Sequence, residues 1–148
     1  MYQQILIATD GSELASKGVE QGFGLAAALN AEVLVITVSE PWMPNFGDAL
    51  AWNTGASVLA DYQKTNEDAA QKVLAAVMEK AAAAGVRCRT RHIPNRYPAE
   101  AIIETADEEN SDLIIMASHG RRGLGKLLLG SQTNAVLPHS KIPVLVVR

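Results

Sequence analysis

A glycine-rich segment with basic side chains occupies the C-terminal third of the chain. Between Ser118 and Ser131 it holds four glycines, two arginines and one lysine, and it ends in a Gly-Ser step. Glycines let backbone N–H groups approach an anion closely, and a helix that begins at Ser131 leaves its first N–H groups without partners inside the helix. This combination favours phosphate binding. The alternative is a flexible turn whose leucines, Leu127–Leu129, pack on the core.

Several known catalytic and nucleotide motifs are close to this sequence but incomplete. Gly120, Gly125 and Lys126 have P-loop spacing, but Leu127 stands where the magnesium-binding Ser or Thr belongs. The glycines of Gly22–Ala27 match a dinucleotide fingerprint, yet they lie within a helical pattern and not after a strand. No Gly-x-Ser-x-Gly motif is present, so the sequence gives no support for a hydrolase triad.

Asp10 follows an apolar run and precedes Gly11 and Ser12. A carboxylate at the end of a strand can accept hydrogen bonds from ribose hydroxyls or hold a metal carried by phosphates. It can equally help to cap the following helix, which stabilises a helix by about 1 kcal/mol. The residues leave both interpretations open.

The histidines and tryptophans are weaker candidates. His119 lies in the glycine-rich segment, where it either donates to a phosphate or caps the turn, and its neighbours favour the phosphate. We interpret His92 and His139 as structural. Trp42 and Trp52 lie in a segment without periodicity, Glu40–Ser57, and either stack on a base or fill space beneath that segment.

The pattern of apolar residues predicts an α/β fold. Five strand-like runs alternate with helix-like segments, which is typical of an open parallel sheet with helices on both faces. The runs are Gln4–Asp10, Glu32–Ser39, Val86–Ile93, Asp112–Ala117 and Pro143–Val147. Four helices are predicted between these runs. The first has one face formed by Ala15, Val19, Gly22, Ala26 and Leu29, and the second has one formed by Tyr62, Ala69, Val73, Val77, Ala81 and Ala84 and ends at Gly85. The third begins at Pro98, and the fourth covers Ser131–His139.

Two strands are expected at the edges of the sheet. Val86–His92 alternates, with arginines at every second position, as a half-solvated strand does. Leu113–Ala117 is apolar throughout and predicts a central strand. Val144–Val147 is also apolar, but it is the last strand of the chain, where an edge of the sheet is expected. An exposed hydrophobic edge strand can pair with a strand of another chain. We therefore expect a homodimer formed partly through Val144–Val147.

Composition limits the function further. The 148 residues fit one domain, residues 1–148. The formal net charge of -3 argues against a general nucleic-acid binder. Cys88 is the single cysteine, which excludes an intramolecular disulfide and a cysteine-built metal site. No leader pattern or membrane-length apolar stretch is present, so we expect a cytoplasmic protein that does not bind membranes.

The chain resembles the universal stress protein family along its whole length. The segments that carry the resemblance are Ile5–Ser12, Pro98–Ile103, Met116–Ser131 and Asn134–Val147. The resemblance implies a single-domain Rossmann-like sheet with strand order 3-2-1-4-5, and commonly a dimer through the last strand. The family's ATP-binding branch carries Gly-x-x-Gly, nine residues, then Gly-Ser or Gly-Thr. Gly120, Gly130 and Ser131 match this motif, whereas Ala117 replaces its first glycine, which matters only where the backbone needs a positive φ.

The resemblance also implies a binding site. The Val38 backbone and the Asp10 carboxylate would meet adenine and ribose, and the loop around Gly120 and Gly130 would hold phosphates. The full set is Ala8, Thr9, Asp10, Val38, Ala117, Ser118, His119, Gly120, Arg122, Gly123, Gly130, Ser131, Gln132 and Thr133. The expected ligand is ATP, or AMP or another adenine nucleotide, with Mg²⁺ bound through the phosphates.

The expected function is a nucleotide-binding regulatory module of the stress response. Hydrolysis of ATP would be slow or absent, because no general base is clearly placed for the attacking water. Two alternatives remain open at this point. One is an enzyme that transfers adenylyl or phosphoryl groups, and the other is a dimeric interaction protein whose nucleotide site is vestigial.

Overall fold

Strands and helices alternate along the chain in the computed structural model, which describes residues 1–43, 55–120 and 129–148. In these ranges the elements are β1 (Gln4–Ala8), α1 (Glu13–Leu29), β2 (Glu32–Val38), α2 (Gly55–Ala84), β3 (Cys88–Ile93), α3 (Pro98–Glu108), β4 (Leu113–Ala117), α4 (Ser131–His139) and β5 (Val144–Val147). The predicted strands are confirmed, with ends that differ by one or two residues.

The aperiodic segment expected over Glu40–Ser57 is shorter than predicted at its C-terminal end. Helix α2 begins at Gly55, so Ser57 is helical. The glycine and serine at this helix start resemble a turn in sequence, which is why the periodicity argument missed them. Trp42 is half-buried, and Trp52 lies outside the described residues.

The strands form one parallel sheet in the order β3-β2-β1-β4-β5, and all the pairings are parallel. This confirms the predicted α/β class and strand order, with β3 and β5 at the edges. Strand β1 pairs with β2 on one side and β4 on the other. Strand order reverses between β1 and β4, and the carboxyl ends of strands around such a point form a crevice that binds ligands in open α/β sheets.

Side chains of the central strands point alternately to the two faces of the sheet, and on each face they are part of a hydrophobic cluster. Ile5 and Ile7 of β1 face α1 and the C-terminal half of α2, where they meet Val19 and Val77. Leu6, which points to the other face, packs with residues of α3 and α4. The sheet is therefore covered on both faces, as the apolar runs of β1, β2 and β4 predict.

Helix α1 is capped by Ser12, whose hydroxyl accepts the Ala15 N–H at 3.3 Å. Four of the five predicted face residues are buried or in close contact with the sheet, and Gly22 lets α1 approach Ile7 more closely than any side chain would allow. Leu29 is the exception, with 38% of its surface exposed. It lies in the last turn of α1, where the helix leaves the sheet, and Phe23 is buried in the core instead.

The predicted helix ends and the edge strand are also supported. Gly85 follows α2 with a φ of +66°, the left-handed conformation that a glycine adopts without strain. Pro98 opens α3. Arg89 and Arg91 of β3 both donate to Glu109, which ties the edge strand to the end of α3. Within the described ranges, none of the helices combines the length and the apolar character that crossing a bilayer would require.

Candidate functional site

A cavity of about 620 Å³ lies at the carboxyl ends of β1, β2 and β4, within the size range of small-molecule sites. Most of the predicted site residues line it: Ala8, Thr9, Asp10, Val38, Ala117, His119, Gly120, Gly130, Ser131, Gln132 and Thr133. Ser118 is fully buried behind this surface. Arg122 and Gly123 lie outside the described residues.

Asp10 and Gly120 bring the ends of β1 and β4 together. A Cβ added to Gly120 would stand 2.7 Å from Asp10 Oδ2, so any larger residue here would have to displace this carboxylate. Asp10 Oδ1 accepts the Ser12 N–H at 2.9 Å, which shapes the turn into α1. The bond to Ser12 agrees with the capping interpretation of Asp10. The residue also lines the cavity, and its role towards a ribose stays a prediction.

Gly130 packs tightly against the end of β4. Its N–H donates to the Ser118 carbonyl at 2.7 Å, and a Cβ on Gly130 would lie 3.0 Å from the same oxygen and 3.3 Å from His119 Cα. Thr133 Oγ1 donates to the Ala117 carbonyl at 3.1 Å. These contacts fix the start of α4 beside the strand.

The N-terminus of α4 opens towards the cavity. Gly130 is its N-cap and supplies no side-chain cap, and the Asn134 N–H makes the first bond of the helix, to Gly130 O at 3.0 Å. The N–H groups of Ser131, Gln132 and Thr133 precede that bond, so they have no partner within the helix. The Gln132 side chain accepts the Ala99 N–H at 3.1 Å, which joins α4 to the start of α3.

His119 carries the buried polar atom that most directly indicates a ligand. Its Nδ1 and Ser118 Oγ are 2.8 Å apart, whereas its Nε2 is buried and has no partner among the described residues. When the Ser118 hydroxyl donates to Nδ1, the ring proton resides on Nε2. This nitrogen is then a donor at the cavity wall, and a buried donor without an acceptor is costly.

Ala117 does not strain the backbone. The residues other than glycine with a positive φ in the described part of the chain are Asn30, Asn95 and Asn110. Ala117 is paired with Val147 in the sheet. The position therefore does not require the glycine of the family motif, as its place at the end of a strand predicts.

Sequence reasoning missed one wall of the cavity, the N-terminal half of α2. Residues on one face of this helix line the cavity: Tyr62, Asn66, Ala69, Ala70 and Val73. The Tyr62 hydroxyl donates to the Glu40 carbonyl at 3.0 Å, which anchors α2 to the end of β2. The i, i+4 spacing of this face was visible in the sequence, but the pattern does not distinguish a face that covers a cavity from one that covers a core.

A second group of polar side chains was also missed. Ser39 follows β2 and lines the cavity. Its Oγ is 2.8 Å from His92 Nε2, and His92 Nδ1 is 2.6 Å from Glu67 Oε2. Hydrogen bonds from Gln71 and then His92 lower the pKa of the Glu67 carboxyl. The three residues are far apart in the chain, so no local motif could reveal the group.

Comparisons with known proteins agree with the fold. The model of the universal stress protein family matches residues 1–148. A curated universal stress protein of Thermus aquaticus is 34% identical, and the match covers 100% of both chains. The solved structure of the hypothetical protein MJ0577 of Methanocaldococcus jannaschii superposes with a TM-score of 0.83 at 26% identity, covering 99% of this chain and 96% of that one.

A further solved structure is a universal stress protein in complex with cAMP. It is 27% identical, with a TM-score of 0.68, and the match covers 99% of this chain and 97% of that one. Together with the strand order and the match over the whole chain, these relatives show that the chain belongs to the universal stress protein family.

Proposed function

We propose that the cavity binds an adenine nucleotide, ATP in the first instance, and that the chain is a nucleotide-binding regulatory module of the stress response. The observation that carries the proposal is the pair of close backbone approaches at Gly120 and Gly130, which flank one cavity at the switch point of the sheet. The relative of known structure that holds cAMP supports an adenine nucleotide as the ligand class.

The phosphates would lie at the start of α4. The N–H groups of Ser131, Gln132 and Thr133 are the donors, and the positive end of the helix dipole favours an anion there. His119 Nε2 would donate a further hydrogen bond. Hydrogen bonds to a charged phosphate each contribute about 1.5–3 kcal/mol, so several of them are sufficient for micromolar affinity.

The nucleoside would occupy the opposite end of the cavity. Asp10 would accept hydrogen bonds from the ribose hydroxyls, and the Val38 backbone would meet the adenine edge; both residues line the cavity. The small residues Ala8, Ala69 and Ala70 leave room for the ring system. Mg²⁺, where it is present, would be carried by the phosphates.

The dimer and the compartment remain predictions that accompany this function. Strand β5 is an edge of the sheet, and Leu145 on it is 40% exposed. We propose that two copies pair through Val144–Val147 and that the protein acts in the cytoplasm, without binding nucleic acid or membranes.

The proposal is tested by titrating a fluorescent ATP analogue into the wild type and a Gly130→Val variant. The added side chain would enter the space against Ser118 O and His119 Cα, and we expect binding to weaken at least tenfold while the fold is kept. Gly24→Val is the matched control, because a Cβ at Gly24 meets no atom within 4 Å. Equal affinity of the wild type and Gly130→Val would refute the proposed phosphate site.

Mass spectrometry of small molecules released from the purified protein identifies the ligand. An adenine nucleotide in near-stoichiometric amount is the expected result. A bound molecule without a phosphate group would contradict the assignment of the α4 N-terminus as a phosphate site.

A further inference from the structure

The hydrogen-bonded chain Ser39–His92–Glu67 has the arrangement of a nucleophile, a base and a residue that orients the base. Ser39 Oγ lies 2.8 Å from His92 Nε2, and His92 Nδ1 lies 2.6 Å from Glu67 Oε2. The His92 side chain is only 5% exposed, whereas Ser39 lines the cavity. The binding of a nucleotide, as proposed above, makes no use of this chain.

The carboxylate decides the tautomer of the imidazole. An ionised Glu67 only accepts hydrogen bonds, so the neutral ring carries its proton on Nδ1 and presents a lone pair on Nε2. Ser39 Oγ–H must then donate to Nε2. This is the relationship by which a histidine activates a serine in the hydrolases of several unrelated folds.

The hydrogen bonds of Ser39, His92 and Glu67 are not needed to anchor α2. Tyr62, one helical turn before Glu67, already ties α2 to Glu40, the residue next to Ser39. The Ser39 backbone is held as well, since its N–H donates to Ile93 O at 2.9 Å and its carbonyl accepts the Arg96 N–H at 3.1 Å. The side-chain network is therefore additional to the bonds that position these elements.

We propose that Ser39 is an activated nucleophile that accepts acyl groups from activated carboxylic esters. Ser39 Oγ attacks the ester carbonyl carbon as its proton passes to His92 Nε2. The bond from that carbon to the leaving oxygen then breaks, and the leaving alcohol takes the proton from Nε2. Water then attacks the carbonyl carbon of the Ser39 ester as its proton passes to His92 Nε2. The bond to Ser39 Oγ breaks and the oxygen takes this proton back, which yields the carboxylic acid and regenerates the serine.

The surroundings favour a short aliphatic acyl group and slow release. Apolar side chains near this end of the cavity are Val38, Ala69, Val73 and Ile102. The N–H groups of Ser39 and Arg96 are already used in backbone hydrogen bonds, so they cannot stabilise the oxyanion as the donors of an oxyanion hole do. Because both acylation and hydrolysis lack these donors, the acylated Ser39 should accumulate only with an activated ester, whose leaving group departs more readily than Ser39 Oγ.

The test is incubation of the full chain with p-nitrophenyl butyrate, without nucleotide, so that its outcome does not depend on the nucleotide proposal. The expected result is a burst of p-nitrophenol of about one per chain, and one butyryl group on the peptide that contains Ser39. Ser39→Ala should lose both. Absence of the butyryl group from wild-type Ser39, or its appearance on other residues alone, would overturn the proposal.

Variants of the other two residues separate chemistry from structure. His92→Gln should slow acylation by at least about a hundredfold, the contribution of a general base. Glu67→Gln should slow it less, and Glu67→Asp should recover part of the wild-type rate, because it restores a carboxylate that can orient the ring. His139→Gln, at the exposed end of α4, is the matched control and should acylate at the wild-type rate. An unchanged rate in His92→Gln would also refute the proposal.

Discussion

The Asp10 carboxylate lies directly against Gly120, so that a Cβ on Gly120 would stand 2.7 Å from Asp10 Oδ2. These residues are widely separated in the chain and follow neighbouring strands, β1 and β4. Both residues line the cavity, together with the start of α4 and the end of β2. The carboxylate can keep its position only because Gly120 has no side chain.

Gly120→Ala should therefore impair both stability and binding. The methyl group must displace the Asp10 carboxylate, and the loss of its hydrogen bond from the Ser12 N–H costs about 0.5–1.5 kcal/mol. A displaced Asp10 would lose the hydrogen bonds proposed for it with the ribose, and we expect nucleotide affinity to fall at least tenfold. Denaturant unfolding and calorimetry measure the two effects. Gly24→Ala is the control, since the exposed α1 position should gain about 0.5–1 kcal/mol of stability.

Glu109 makes part of the stability dependent on pH. Hydrogen bonds from Arg89 and Arg91 hold the pKa of the Glu109 carboxyl below its ordinary value of 4.5. The ion pairs therefore stabilise the folded chain above pH 4.5, and this contribution is lost as the pH falls through the lowered pKa of the folded state. Because both arginines are partly exposed, we expect these ion pairs to add only about 0.5–1 kcal/mol to the free energy of unfolding.

The measurement is urea unfolding of the wild type and Glu109→Gln at neutral pH and at about pH 3. The wild type should be the more stable protein at neutral pH, and the difference should shrink at acid pH. A difference that grows as the pH falls would contradict the assignment. Glu108→Gln is the control, because the Glu108 carboxylate makes neither of these bonds.

The sequence predicted the sheet well because its signals are local. Each strand of the structure corresponds to one of the strand-like runs, and the edge position of β3 follows from its alternating arginines. The glycines at 120 and 130 could likewise be placed beside the end of β4, since strand ends in a parallel sheet meet at one edge.

Other features depend on contacts between distant parts of the chain. Helix α2 packs so that Glu67 contacts His92, and neither residue type nor spacing predicts that contact. The sequence alone favours a structural role for His92. Its partners come from the end of β2 and from α2, and only the packed structure shows them.

Cys88 should be a poor nucleophile. It packs against the core cluster of α1 and α2, and burial raises the pKa of its thiol to about 11. Only the thiolate reacts with alkylating reagents. At pH 8, iodoacetamide should modify Cys88 at least about a hundredfold more slowly in the native protein than in denaturant. Similar rates in the two states would show that the thiol is exposed.

The C-terminal strand should mediate dimerisation. Strand β5 offers an unpaired edge, and Leu145 is exposed on it. Light scattering at tens of micromolar should give about twice the chain mass of 15.8 kDa. Leu145→Lys places a charge on this edge, a device that blocks edge-to-edge pairing, and should shift the mass towards that of one chain. A wild-type protein that is monomeric at this concentration would exclude the proposed dimer.

Isothermal titration calorimetry of the wild-type protein with ATP and Mg²⁺ tests the central claim most directly. Three features predict saturable binding at one site per chain, with micromolar affinity: the cavity, the open N-terminus of α4, and His119 Nε2, which lacks a partner among the residues that the structure describes. Gly130→Val should give at least a tenfold weaker isotherm. Absence of both heat and a thermal shift at millimolar ATP would contradict nucleotide binding by this chain.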